Sequence, residues 1–179
     1  MGALYSTCPQ TGKTLDSCSL RRIMSVTDVN DEFGRPLKDL RISVTDRCNF
    51  RCRYCMPRER FNEDHTFLPK RAFLSFDEIE KVVRSSISLG LEKVRITGGE
   101  PLLRKNLPEL IAKLSKLGID IALTTNASLL KKNAKALRLA GLNRVTISLD
   151  ALDPELHKQM SDSNISVDSI LEGIDEAVR

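Results

Sequence analysis

The chain has 179 residues and a net charge of +4, with 41% hydrophobic and 29% charged residues. This composition fits a soluble α/β domain with a sizeable core, and no apolar run is long enough to span a membrane. Tryptophan is absent and aromatics make up only 4%, so the core must be mainly aliphatic. No dense basic tract interleaved with aromatics argues for nucleic-acid binding.

Residues 1–32 mix Ser, Thr, Asp and Gly with few periodic apolar positions, and read as a poorly ordered tail ahead of a core domain over residues 33–179. No secretory apolar segment is evident. Arg21 and Arg22 among serines suggest organelle targeting, and Asp16 and the later acidic residues count against it. Met24 opens the segment where the pattern changes and is a candidate for the true start. Peptides from residues 1–23 in the native protein would reject that reading. Five cysteines without a secretory signal do not form a disulfide framework. Cys8 and Cys18 read as free thiols, and a reducing cytoplasm is the expected location.

Residues 40–44 alternate and are rich in branched side chains, the pattern of a strand. Beyond them Cys48, Cys52 and Cys55 form C-x3-C-x2-C on one loop. Three thiolates hold three irons of a [4Fe-4S] cluster and leave the fourth iron open to a small molecule, where four cysteines close every site. A zinc site competes, with His65 as a fourth ligand at no standard spacing. Ser75-Phe76-Asp77-Glu78 is a capping box that opens a helix with Ile79, Val82, Val83 and Ile87 on one face and Gly90 as its stop. Residues 94–97 form a second strand. Gly98-Gly99-Glu100-Pro101 follows it, and adjacent glycines let a ligand approach the backbone closely.

The alternation continues. Asn106 precedes a helix with Leu107, Leu110, Ile111 and Leu114 on its apolar side, ending at Gly118. Residues 119–124 are a third strand, Leu130, Ala134 and Leu137 mark a third helix ending at Gly141, and residues 145–149 are a fourth strand. Asp153-Pro154 starts a short helix. Ser166 caps a last one that carries Val167, Ile170, Leu171, Ile174 and Val178. Repeated strand–helix units of this spacing imply a parallel sheet with helices packed outside it. Both chemical motifs fall at the carboxyl ends of strands, where sites gather in such folds.

C-x3-C-x2-C after the first strand and G-G-E-P after the second resemble the radical S-adenosylmethionine (SAM) superfamily. Longer stretches are similar, in order, to one family within it, the GTP 3′,8-cyclases of molybdenum cofactor biosynthesis. These are Phe33-Gly34-Arg35, residues 40–46, Cys48-Asn49, Tyr54-Cys55-Met56-Pro57, residues 94–101, Leu123-Thr124-Thr125-Asn126 and Ile147-Ser148-Leu149-Asp150. Ala127 departs from the pattern, standing where the family usually has Gly.

The resemblance implies a partial parallel βα barrel, with about four βα units present and the fifth and sixth strands expected beyond Arg179. It implies a cluster held by Cys48, Cys52 and Cys55, SAM contacts from Tyr54, Gly99 and Ser148, and GTP contacts from Arg41, Arg95 and Thr124. The implied reaction cleaves SAM reductively, removes hydrogen from the ribose 3′ carbon of GTP and closes the sugar onto C8, giving 3′,8-cyclo-7,8-dihydro-GTP. An electron donor, a homodimer and cyclic pyranopterin monophosphate synthase as pathway partner come with it. The family's second, C-terminal cluster is not encoded in this chain.

Blander readings stand beside these. Arg41 and Arg95 also read as outward arginines in salt bridges, Ser148 as a cap, and Tyr54 as an aromatic packing over the loop. Another radical SAM enzyme, a cluster-binding fragment that completes no reaction, and a zinc-binding interaction module are the competing functions. A sheet of only four such units is expected to expose apolar, barrel-facing edges.

Overall fold

The computed structural model describes residues 29–179, and the expectations for Cys8, Cys18 and Met24 lie outside them. Four parallel strands form one sheet: β1 (Asp39–Ser43), β2 (Lys93–Thr97), β3 (Asp120–Thr125) and β4 (Arg144–Ile147). Strand order in space equals order in the chain. Helices α1 (Phe76–Ile87), α2 (Leu107–Ser115) and α3 (Leu130–Leu139) make the crossovers, and α4 (Pro154–Ser161) and α5 (Val167–Val178) follow β4. This is the parallel sheet with crossover helices that the spacing predicts, and it fits the partial βα barrel that the resemblance implies.

The helix starts obey local chemistry. Ser75 Oγ accepts the Glu78 amide at 3.2 Å, and the Glu78 carboxylate accepts the Ser75 amide at 2.7 Å, closing the capping box. Asp153 and Ser166 cap α4 and α5 by accepting the amides of Leu156 and Ser169, without the reciprocal bond. Asn106 behaves differently: it takes a left-handed conformation at φ 59° and makes no side-chain cap, while Pro108 sits in the first turn of α2. On α1, Ile79 and Val83 are buried, but Val82, predicted on the same face, is 46% exposed.

The two faces of the sheet differ in kind. Leu40, Ile42, Val94, Ile96, Ile121, Leu123, Val145 and Ile147 share one face. Their core partners are Ile79 and Val83 of α1, Leu110, Ile111 and Leu114 of α2, Leu130 and Leu137 of α3, and Ile170 of α5. The helices therefore lie on that side. The strand registers put Asp39, Arg41, Lys93, Arg95, Asp120, Thr124, Arg144 and Thr146 on the other face, to which no helix of the core belongs. The expectation is of apolar, barrel-facing edges: among the described residues the barrel-facing side is polar, and apolar side chains line the β4 edge on the helix side. The uncovered face is charged, because β-strand side chains alternate and these strands place their polar set inward.

The free edge of β4 also leaves apolar side chains open. A groove of about 890 Å³ runs there between α3 and α5, lined by Leu130, Leu137, Val145, Ile147, Ile174 and Val178 among others.

Candidate functional site

The site begins where β1 ends. Its ladder with β2 continues past both strands: the amides of Val44, Gly99 and Glu100 donate to the carbonyls of Thr97, Thr45 and Arg47 at 2.9, 2.8 and 2.8 Å. The two loops are thus stitched backbone to backbone. A Cβ on Gly98 would stand 2.5 Å from Thr45 O, and one on Gly99 would stand 2.3 Å from Arg47 O and 2.9 Å from Cys48 N. The close approach that these glycines permit is that of the cysteine loop itself. Gly99 keeps a carbonyl that accepts no hydrogen bond from the described residues.

The loop then winds tightly. The amides of Cys55 and Met56 both donate to Cys52 O, at 3.1 and 2.9 Å, and the Phe50 amide donates to Cys48 Sγ at 3.4 Å. Arg51 N and Arg53 N bond Ser161 O and Met160 O at the end of α4, at 2.9 and 3.3 Å, while the Arg51 guanidinium holds the carbonyls of Cys48 and Phe50. Cys52 is buried, Cys48 half-buried and Cys55 exposed. Burial pushes the Cys52 thiol up to about 11, with a further push from the neighbouring Cys55. Burial also raises Cys48, and Cys55 adds to it.

These donors suit an iron–sulfur cube. The three thiols lie in one another's electrostatic field, yet among the described residues no three Cys, His, Asp or Glu side chains converge on a single point. Thiolates are the donor type of both an iron–sulfur cluster and a zinc site. His65 does not join them. Its ring packs between Phe61 and Phe67, tilted to one and edge-on to the other, with centroids 4.6 Å from each.

Two residues that the sequence reading left without a role organise the surroundings. Glu100 is 1% exposed. Its carboxylate accepts Leu102 N at 3.0 Å, Thr125 Oγ at 2.7 Å and Asn126 N at 2.8 Å. Burial raises its pKa, and the three donors oppose that shift. Asn126 donates its side-chain amide to Asn49 Oδ1 at 3.0 Å and to Cys48 Sγ at 3.9 Å, while its Oδ1 accepts from both the amide and the hydroxyl of Ser128. The Asn49 amide closes the ring on Ser128 Oγ at 2.8 Å. The signal available in sequence was an acid directly after two glycines, where a buried carboxylate needs several donors.

The charged face of the sheet carries the other predicted residues. Arg41 and Arg95 are direct cross-strand partners. Asp39 pairs with Lys93 at 2.6 Å and reaches Arg95 at 3.9 Å, and Asp120 pairs with Arg144. Among the described residues Arg41 has no carboxylate partner. Among the described residues the expected salt bridge is thus found for Arg95, though on the inward face, and not for Arg41. Thr124 lies on this face with a buried Oγ that has no hydrogen-bond partner.

Ser148 is exposed just past β4, and its amide donates to Thr125 O at 2.9 Å. Tyr54 is 62% exposed, and its hydroxyl donates to Asp150 Oδ2 at 2.8 Å, tying the cysteine loop to the end of β4. Burial and then this contact raise the Tyr54 pKa. Cys48, Cys52, Cys55, Tyr54, Gly99 and Ser148 thus gather at the carboxyl ends of the strands, while Arg41 and Arg95 sit lower on the same face and Thr124 between.

Comparison with known proteins agrees with this geometry. The pattern of the Radical SAM superfamily matches residues 42–179. The GTP 3′,8-cyclase of Staphylococcus carnosus is 55% identical over 155 residues, 86% of this chain and 46% of that protein. The GTP 3′,8-cyclase of Acidothermus cellulolyticus is 55% identical over 151 residues, 83% and 42% respectively. The chain therefore spans less than half the length of these curated relatives. Among solved structures, Streptococcus suis SuiB bound to S-adenosylmethionine shares the fold at a TM-score of 0.62 and 22% identity, over 76% of this chain and 29% of that one. No helix among the described residues is long and apolar enough to cross a membrane. The chain belongs to the radical SAM superfamily, and over most of its length it is homologous to the GTP 3′,8-cyclases.

Proposed function

We propose that this chain is the cluster- and SAM-binding portion of a GTP 3′,8-cyclase of molybdenum cofactor biosynthesis, working in a reducing compartment such as the cytoplasm. The observation that carries this reading is the union of the cysteine loop with Gly98-Gly99 beside a sheet face that holds an uncompensated arginine. Cys48, Cys52 and Cys55 would hold a [4Fe-4S] cluster with one open iron. When bound and reduced, that cluster supplies the electron that cleaves SAM.

The remaining work belongs to the protein. The Gly99 carbonyl, which accepts no bond from the described residues, would accept from the amino group of SAM, and Ser148 and Tyr54 would border the same ligand. Arg41 and Arg95, side by side, offer bidentate donors to the phosphates of GTP. The unpartnered Thr124 Oγ lies between the two groups of residues and supplies a further polar contact. Holding both substrates along one sheet face keeps the reacting carbon near the radical and limits side reactions with solvent. Cyclic pyranopterin monophosphate synthase would consume the product, and a one-electron donor would feed the cluster.

A second reading has its own support: the chain covers 46% and 42% of the two cyclases. Under it, the chain is a cluster-binding fragment that loads the cluster and completes no reaction. One experiment separates the two. The chain is reconstituted anaerobically with iron and sulfide, reduced, and given SAM with and without GTP. GTP-stimulated release of 5′-deoxyadenosine with a cyclised product supports the cyclase. Release without a cyclised product supports SAM cleavage but not cyclisation by this chain, and absence of release from the loaded protein supports the cluster-binding fragment.

A further inference from the structure

The ring of hydrogen bonds behind Cys48 does more than close a loop. A primary amide has two N–H groups, and both of Asn126's are used: one on Asn49 Oδ1 and one aimed at Cys48 Sγ. The Asn126 carbonyl is fixed separately by two bonds from Ser128, so the amide cannot turn over without losing them. Its main chain is fixed by Glu100, whose own amide grips Arg47 O in the cysteine loop. One buried residue of the G-G-E-P segment thus clamps the loops after β1 and β3 in a single arrangement. Within it, Cys48 receives the Phe50 amide at 3.4 Å and the Asn126 amide at 3.9 Å.

We propose that Asn126, held by Glu100, is a positioning residue that tunes the reduction potential of the cluster through its N–H directed at Cys48. The inference rests on the cluster reading above. A donor on a cysteinate sulfur withdraws charge from the cluster and stabilises its more negative, reduced form, so the potential rises with each such bond. Asn126 is 8% exposed, so little water competes for that sulfur from this side. Ser128 and Asn49 serve as its supports and donate nothing to sulfur.

The test is a potentiometric titration of the reconstituted full chain, followed by the paramagnetic resonance of the reduced cluster, with absorbance recording cluster loading. Asn126→Leu removes the donor. Asn126→Ala also removes the N–H and adds no charge, and serves if the leucine variant fails to load. Ser128→Ala breaks the same ring without touching the donor. Both Asn126 variants are expected to shift the midpoint negative, with a reduced-to-oxidised ratio about tenfold lower at the wild-type midpoint, about 59 mV for one electron. Ser128→Ala is expected to stay near wild type. Asn126 variants that load and keep the wild-type midpoint, or a Ser128→Ala shift as large as theirs, overturn the inference alone. A wild-type chain that takes up no cluster overturns the cluster reading and this inference with it.

Discussion

Ala127 shows how a single residue departs from a family pattern at little cost. It sits at φ 60° and is 1% exposed. The left-handed conformation costs an L-residue about 1–2 kcal/mol, which glycine would avoid. Against that, glycine would give up a buried methyl worth about 0.8 kcal/mol and about 0.4–1 kcal/mol in unfolded-state entropy. The terms nearly cancel, so Ala127→Gly is expected to change stability by less than about 1 kcal/mol in urea unfolding. A gain of several kcal/mol would show that this account of the backbone strain is wrong. His157 presents the opposite case: it is 3% exposed, packs edge-on to Phe50 with centroids 6.0 Å apart, and its Nε2 has no partner. A buried polar atom without a bond costs about 1–3 kcal/mol. His157→Phe keeps the ring and removes the orphan, so it should raise the melting temperature; a fall would mean that the ring nitrogen is satisfied in solution. The departure at Ala127 was visible in sequence, but neither its backbone sign nor the buried state of His157 was, because both depend on neighbours distant in the chain.

At the scale of elements, much was readable because local rules and tertiary demands agree. The four strands and the caps at Ser75, Asp153 and Ser166 follow from alternation and side-chain chemistry next to the backbone. Asn106 was legible as a helix boundary but not as a left-handed residue. The meaning of Gly98-Gly99 was only half legible. The sequence shows that something approaches the backbone, and only the fold shows that it is the cysteine loop. Gly99→Ala should therefore act on the loop before it acts on any ligand. The new methyl would meet Arg47 O at 2.3 Å, a backbone atom that moves only if the loop lifts off β2. The expected result is loss of iron and sulfide uptake, read by absorbance, with the helical circular dichroism retained. Full uptake by Gly99→Ala would show that the stitched loops have slack that the structure does not display.

The whole molecule is an open sheet with helices on one side and charge on the other. The sequence reading saw the apolar pattern of the covered face, and missed the inward polar set because each strand contributes only two or three of its members. At the free edge of β4, Leu139 is 79% and Val178 82% exposed near the groove between α3 and α5. Concentration-dependent association is the physical consequence of such an edge. Sedimentation should show it, and Leu139→Lys with Val178→Lys should reduce it; an unchanged distribution would place the contact elsewhere. The charged face makes a sharper prediction, because binding and stability should move in opposite directions there. Arg41 and Arg95 are cross-strand neighbours, and like charges so placed repel. Asp39 partly compensates Arg95, leaving Arg41 as the residue whose charge serves the empty fold least. Arg41→Gln should stabilise the ligand-free chain slightly, by no more than about 0.5 kcal/mol because the site is solvated and screened. The same change should weaken binding of GTP and of inorganic triphosphate, with a shallower salt dependence, since one charge fewer meets the phosphates. Calorimetric titration at two ionic strengths, beside urea unfolding without ligand, reads both quantities. If Arg41→Gln lowers stability and leaves triphosphate affinity intact, Arg41 is a structural arginine and the phosphates of the substrate bind elsewhere.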